Sequence, residues 1–182
     1  MKKLLAILAM ATAGTAFAGS FTVEGQQIDS LTGANQKQYS LSVKENITKE
    51  VAGDVTFRNT VTDGTGALTT RLEGGLTGTT QQVGPVIGYV RAAVGQRYSN
   101  TTDFSYYSVE PGVLIPMGNF TGKIGYRYRS AFDSTANGDQ TNTWRAGLSY
   151  ALTKKDTVGI RYDQVRGDSK QNIVAVNYTR GF

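Results

Sequence analysis

Apolar and polar residues alternate along most of the chain, in ten segments separated by short stretches rich in Gly, Asn, Asp and Ser. Because successive side chains of a strand point to opposite faces, each segment is predicted to be a β-strand. The predicted strands cover residues 20–28, 38–48, 51–61, 67–77, 83–98, 103–115, 120–132, 142–152, 157–166 and 170–182. Short turn-rich connections such as 63–66 favour hairpins, so we expect an all-β fold of about ten antiparallel strands, with eight or twelve less favoured.

Charged residues collect on one face of these strands. The polar face carries Lys44, Arg58, Arg71, Arg91, Arg97, Lys123, Arg127, Arg129, Arg145 and Arg161, together with Glu24, Asp54, Glu73, Glu110 and Asp163. The apolar face carries Glu45, Arg166 and Arg180, each near a strand end. A Lys or Arg that faces lipid at mid-bilayer costs about 2–4 kcal/mol, so this segregation predicts a transmembrane up-and-down β-barrel. A soluble β-sandwich or lipocalin-like barrel is the alternative.

Aromatic residues of the apolar face lie mostly toward the strand ends. This arrangement is typical of the girdles that flank the apolar band of membrane barrels. The predicted girdle includes Trp144, Tyr150, Tyr162, Tyr178 and Phe182.

The last predicted strand ends in an aromatic residue, Phe182, at the end of the segment Tyr-Thr-Arg-Gly-Phe. It resembles the closing strand of bacterial outer-membrane β-barrels, which implies that the barrel-assembly machinery reads it. The segment departs from the commoner pattern at Arg180, where an apolar residue is usual. A long side chain there can reach the edge of the membrane.

Residues 1–18 have the pattern of a secretory signal peptide. Lys2 and Lys3 precede a short apolar run, and residues 16–18 read Ala-Phe-Ala, which is a cleavage motif. The run is too short to span a bilayer as a helix, which takes about 20 residues. We therefore expect a cleaved segment 1–18 and a barrel of residues 19–182, exported through the periplasm to a Gram-negative outer membrane, where lipids and lipopolysaccharide surround it.

The composition argues against several kinds of chemistry. The chain has no Cys and no His, so it offers neither thiol chemistry nor the usual general base. Carboxylates on the polar face are better explained as partners of arginines than as catalytic groups. We therefore expect no enzyme activity, metal site or cofactor, and no nucleic-acid partner.

The ten basic and five acidic residues of the polar face would line the interior of the barrel. If most of them pair, the interior is a closed ionic core. If the interior holds water instead, the basic excess favours small anionic solutes. Arginines at 127, 129, 145 and 161 fall on consecutive strands and could form one basic track along the wall.

Two segments carry a resemblance to a known family: Gly-Tyr-Arg-Tyr-Arg at 125–129 and Gly-Ile-Arg-Tyr-Asp at 159–163. They resemble, in texture, the oligogalacturonate-specific porins, small monomeric barrels with arginine-lined pores for acidic oligosaccharides. The resemblance implies a porin-like barrel. Those porins have twelve strands, whereas ten are predicted here.

An even number of strands allows the first and last strands to have their free ends on the periplasmic side. The loops at 29–37, 62–66, 99–102, 133–141 and 167–170 are then predicted to face outward, and they are called the outer loops. They are short and carry several aspartates, so we expect an acidic outer rim of solvated charges. The residues of this rim are Asp29, Asp63, Asp103, Asp133, Asp139 and Asp168. The function that the sequence favours is a small porin-like channel with an arginine-rich, anion-favouring lumen. The alternative is a closed structural barrel that contacts lipopolysaccharide, copies of itself or a surface layer.

Overall fold

The computed structural model describes residues 19–182, and the predicted signal peptide, residues 1–18, lies outside the described residues. The described chain is folded almost entirely into strands. They are β1 (Gly19–Ser30), β2 (Gln36–Asn46), β3 (Val51–Thr62), β4 (Leu68–Thr79), β5 (Ile87–Ser99), β6 (Phe104–Met117), β7 (Phe120–Ala131), β8 (Thr141–Ala151), β9 (Asp156–Gly167) and β10 (Gln171–Gly181). One short helix, α1 (Ser134–Asn137), lies in the loop between β7 and β8.

The ten strands form one closed antiparallel barrel in which each strand pairs with its neighbours in sequence. β1 and β10 close the barrel along eleven residue pairs, from Ser20–Gly181 to Ser30–Gln171. Closure leaves no unpaired strand edge, which hydrocarbon would not tolerate. The predicted fold class and strand number are therefore confirmed.

The register places the apolar side chains of the strands on the outside of the barrel. Leu76, Val94 and Val176 are among the most exposed large apolar residues, whereas Glu73 and Arg127 are buried inside. This inversion of the usual soluble pattern is the one that a lipid-facing wall requires. No helix within residues 19–182 is long and apolar enough to cross a membrane.

Apart from shifts of one or two residues at the other strand ends, the structure differs from the sequence-based expectation at two places. β5 begins at Ile87 rather than at residue 83, because residues 80–86 form a turn in which Val83 and Val86 make an isolated bridge. Helix α1 lies in a segment that was expected to be an irregular loop. Both differences lie in connections, so the strand order and the side-chain alternation are unaffected.

Pro111 interrupts pairing between β6 and β7 without changing the register. Val109 pairs with Tyr128 and Gly112 pairs with Gly125, and no ladder pair is formed between these two. Proline has no backbone N–H to contribute to a ladder, which explains the break. On the other side of β6, Pro111 still pairs with Val90 of β5. Because the register is the same on both sides of Pro111, the proline produces a local break in pairing rather than a bulge.

Two tyrosines fill space inside the barrel that glycines leave open. Tyr106 lies directly across from Gly95, and Tyr89 lies directly across from Gly112. A Cβ atom at Gly95 would come within 2.5 Å of the Tyr106 ring, so no larger residue fits there unless the tyrosine moves. Most of the interior is therefore packed by polar and aromatic side chains, and its aliphatic part includes a small cluster of Ile28, Val165 and Ile173.

Candidate functional site

A belt of ion pairs crosses the interior about midway along the barrel. This central belt consists of Glu24, Asp54, Glu73, Glu110 and Asp163, paired with Arg58, Arg91, Lys123, Arg145 and Arg161. Its residues come from β1, β3, β4, β5, β6, β7, β8 and β9, so the pairs cross-link eight of the ten strands. All five carboxylates expected in the interior have a basic partner.

Glu73 of β4 is one of the three most enclosed carboxylates of the belt, with 1% of its surface exposed. Its oxygens accept from Arg58 Nη1 at 3.2 Å and lie 2.9 Å from Arg91 Nη1. The hydroxyl of Tyr106 donates to the same carboxylate at 3.1 Å. Three donors from β3, β5 and β6 thus satisfy a charge that would be costly to bury alone.

Glu110 of β6 has the matching arrangement and is equally enclosed. Its carboxylate lies 2.6 Å from Arg145 Nη1 and 3.0 Å from Lys123 Nζ. The hydroxyl of Tyr89 donates to it at 2.9 Å. Each of these two carboxylates therefore receives one tyrosine hydroxyl and two cations.

Arg145 and Arg161 continue the belt across β8, β9 and β1. Arg145 bridges Glu110 and Asp163, the latter at 3.2 Å. Arg161 bridges Asp163 at 3.0 Å and Glu24 at 2.6 Å, which ties β9 to the first strand. Both arginines were placed on the predicted basic track, and the structure shows both neutralised by carboxylates.

Four arginines lie between the belt and the outer loops, and they are called the outer cluster below. They are Arg71, Arg97, Arg127 and Arg129. Arg129 donates to Asp139 at 2.6 Å, and Arg97 lies 5.3 Å from the centre of the Phe104 ring. The side chains of Arg71 and Arg127 make no ion pair or hydrogen bond within the described part of the chain. The predicted track is thus divided into a paired half and an outer half with excess positive charge.

Asp139 is placed differently from what the sequence predicted. It was expected among the solvated charges of an acidic outer rim, but only 4% of its surface is exposed. The loop after α1 carries it inward, where its carboxylate reaches the Nη2 atom of Arg129. Alternation could not reveal this contact, because Asp139 belongs to no strand.

Two cavities lie at opposite ends of the barrel. The outer cavity has a volume of about 90 Å³ and extends from the loop residues near Ser169 down to the belt. Its charged lining consists of Arg58, Arg71, Arg127, Arg129, Arg145, Arg161 and Asp163. The inner cavity, of about 420 Å³, opens at the chain ends and is lined by Lys44, Lys154, Lys155 and Phe182 among others. The central belt separates the two.

The predicted girdle residues within the strands point outward but lie at different levels, and Phe182 lies just beyond the end of β10. The ring of Tyr150 packs against the ring of Phe120 near the inner turn, with the two ring centres 4.8 Å apart. Phe182 lies at the inner rim. Tyr178 donates its hydroxyl to Asp156 at the start of β9. Trp144, 59% exposed, contacts Tyr126 in the outer half of the wall. Tyr162 lies midway along β9, so it belongs to the wall rather than to a rim.

Tyr89 and Tyr106 are the residues of the site to which the sequence analysis assigned no role. The sequence contains a pattern that could have identified them, because each tyrosine is an inward residue that faces a glycine across a hairpin. Within residues 19–182, no group of three or more acidic residues lies close enough to hold a metal ion.

The sequence matches no protein-family model and no curated protein. Solved structures nevertheless share its fold. An outer-membrane channel from Pseudomonas putida F1 superposes with a TM-score of 0.61 at 10% identity, covering 93% of this chain and 97% of that one. The NanC porin gives 0.59 at 13% identity, covering 88% and 98%.

Two further neighbours show how far this likeness extends. The KdgM porin in complex with disordered oligogalacturonate gives a TM-score of 0.55 at 11% identity, covering 90% of this chain and 99% of that one. The β domain of the Bordetella autotransporter BrkA also gives 0.55, at 11% identity, covering 91% and 99%. A porin and an autotransporter β domain are thus equally similar to this chain, and at these identities the likeness establishes the fold alone. The chain has the fold of bacterial outer-membrane β-barrels, and its apolar outer wall fits it to that membrane.

Proposed function

We propose that this protein is a narrow channel of the bacterial outer membrane that favours small anions. The observation that carries the proposal is the charge around the outer cavity. Six arginines line it. Four of them have a carboxylate partner in the belt or in Asp139, which leaves Arg71 and Arg127 without one among residues 19–182. A lumen with excess positive charge and walls of low dielectric constant attracts anions and repels cations.

The central belt makes the channel narrow. An eight-stranded barrel is just filled by its side chains, and ten strands leave only slightly more room. The belt occupies this room at mid-height, and the cavity above it measures about 90 Å³. Sites that hold drug-sized ligands measure about 300–1,000 Å³, so small ions fit here, whereas an oligosaccharide does not.

The structural neighbours support transport in general rather than a particular solute. Two of those with the highest TM-scores are an outer-membrane channel and a porin. The acidic-sugar specificity of the resembled family is not part of our proposal, because the outer cavity is too small.

A closed structural barrel is the second candidate, and the complete pairing of the belt favours it. Glu73, Glu110 and Asp163 are each about 1% exposed. A fully satisfied ionic network rigidifies the interior. In that case the barrel would act through its outer wall and loops, in contact with lipopolysaccharide or with further copies of the chain.

An ion-efflux assay tests the first candidate against the second. Refolded protein is inserted into liposomes loaded with KCl and suspended in sodium nitrate of equal concentration, so that chloride can exchange for nitrate and potassium for sodium without a net movement of charge. The release of chloride and of potassium is followed with ion-selective electrodes. We expect chloride release to exceed potassium release, and Arg127→Gln to reduce this preference. Arg180→Gln is the matched control, since Arg180 lies on the outer wall and is exposed. Liposomes that contain inserted protein and release neither ion would overturn the proposal in favour of the closed barrel.

The closing strand is proposed to guide assembly. The backbone N–H of Phe182 donates to the carbonyl oxygen of Gly19 at 3.0 Å, so Phe182 extends the seam between β10 and β1. Its ring is about half exposed at the inner rim. An exposed aromatic ring beside the seam is accessible to the barrel-assembly machinery before the seam closes.

A further inference from the structure

The outer cluster contains more positive charge than the surrounding residues neutralise. In the register, Arg58 lies directly across from Arg71, and Arg71 lies directly across from Arg97. Like charges in directly opposed positions destabilise a sheet. Arg58 has Glu73 as its partner, but Arg71 has no carboxylate within ion-pair distance among residues 19–182. The stability of the sheet therefore does not explain why these three arginines lie directly across from one another.

The guanidinium groups of the cluster are also incompletely bonded. The Nε atoms of Arg71, Arg97, Arg127 and Arg129 are buried and have no hydrogen-bond partner in the described chain. Only 7% of Arg127 is exposed, and Arg129 is similarly enclosed. A buried charged donor that remains unpaired is costly, so each such group marks a place where an acceptor is missing.

The residue that approaches the cluster from the loops is itself an anion. The carboxylate of Asp139 binds Arg129 through Oδ1 at 2.6 Å. Its second oxygen, Oδ2, is buried and has no hydrogen-bond partner within residues 19–182. The cluster therefore has four guanidinium groups but binds only one carboxylate oxygen. Asp139 neutralises one charge and leaves three.

We propose that the outer cluster is a binding site for a small, multiply charged oxyanion of the phosphate class, and that Asp139 occupies part of this site when it is empty. The three remaining charges favour a dianion over chloride. Guanidinium groups bind phosphate and carboxylate oxygens in a bidentate fashion, which supplies the missing acceptors.

The volume of the outer cavity and the route by which a solute reaches it suit a small oxyanion. The outer cavity, of about 90 Å³, is several times larger than the ~15 Å³ that one water needs. Arg71, Arg127 and Arg129 line it, together with the polar side chains of Gln38 and Thr141. It faces the inside of the barrel, so the ligand is a free solute that enters from the outer end rather than a lipid headgroup in the membrane.

The site does not depend on whether the channel conducts. An anion that enters from the outer loops reaches the cluster without crossing the central belt. Binding is therefore measured on the refolded barrel in detergent micelles, and a failure to bind is a separate result from a failure to conduct.

Isothermal titration with inorganic phosphate, at constant ionic strength in NaCl, tests the proposal. We expect saturable binding of one phosphate per barrel. Arg127→Gln should weaken binding at least tenfold, and Arg180→Gln, on the outer wall, should leave it unchanged. Arg127→Gln is expected to fold, because it removes a buried unpaired charge. Gel mobility of the unheated sample checks this.

Asp139→Asn provides the second, independent arm. If Asp139 competes with the ligand, its neutral variant binds phosphate at least fivefold more tightly. If Asp139 only holds the loop in place, the variant binds equally well or more weakly. The proposal is overturned if wild type and Asp139→Asn both show only a weak response that rises linearly with phosphate, or if Arg127→Gln binds as the wild type does.

Discussion

Glu110→Gln removes one charge from the centre of the belt while keeping the size of the side chain. Glu110 contacts Arg145 at 2.6 Å, Lys123 at 3.0 Å and the hydroxyl of Tyr89 at 2.9 Å. Lys123 is 39% exposed and can be hydrated when its partner is lost, whereas Arg145 is 12% exposed and retains only Asp163. The cost therefore arises mainly at Arg145.

Breaking a buried ion pair by removing one partner typically costs 3–5 kcal/mol. Because glutamine can still accept one hydrogen bond from Arg145 or Tyr89, we expect the free energy of unfolding to fall by about 3 kcal/mol, at the lower end of that range. Urea titration in micelles, followed by the fluorescence of the single tryptophan, Trp144, measures the change.

The matched control for this variant is Glu45→Gln. Glu45 is exposed near the inner end of β2, and its replacement should change the unfolding free energy by less than about 0.5 kcal/mol. The difference between the two variants should persist at 1 M NaCl, because salt screens buried pairs much less than exposed ones. A loss below about 1 kcal/mol for Glu110→Gln would refute the conclusion that the belt holds the interior together.

Three further predictions concern the outer wall, the packing of Tyr106 against Gly95, and the seam between β1 and β10. Trp144, exposed on the outer wall, should be strongly quenched by brominated lipid acyl chains, and a fluorescence unaffected by them would contradict a lipid-facing wall. Gly95→Val should lower stability by about 2–3 kcal/mol, because its side chain would displace Tyr106, whereas Gly74→Val, with open space around it, should change stability little. Phe182→Ala should reduce the amount of barrel in outer membranes while leaving the urea midpoint of refolded protein nearly unchanged; a normal amount would contradict a role in assembly.

The barrel could be predicted from the sequence because one physical constraint acts on every strand. A lipid-facing position and an inward position alternate along each strand, so the charge pattern alone separates the two faces. As predicted, Arg58 lies on the inner face of the barrel wall and Leu76 lies on the outer face. Antiparallel hairpins with short turns then leave one simple strand order, and the structure confirms it.

The division of the interior into a paired belt and a positive outer cluster could not be predicted in this way. It depends on which carboxylate a long arginine side chain reaches, as when Arg91 contacts Asp54, two strands away, at 2.5 Å. Alternation gives the face of each residue but not its partner across the lumen. The inward position of Asp139 depends on the path of a loop, for which the sequence contains no periodic pattern.

The single-channel conductance of the refolded protein in a planar bilayer under a KCl gradient shows whether the barrel is an anion-favouring channel. For such a channel we expect small discrete current steps with a reversal potential displaced toward that of chloride, and a displacement that shrinks in Arg127→Gln. A bilayer that remains silent despite inserted, heat-modifiable protein, or a reversal potential displaced toward that of potassium, would contradict this expectation.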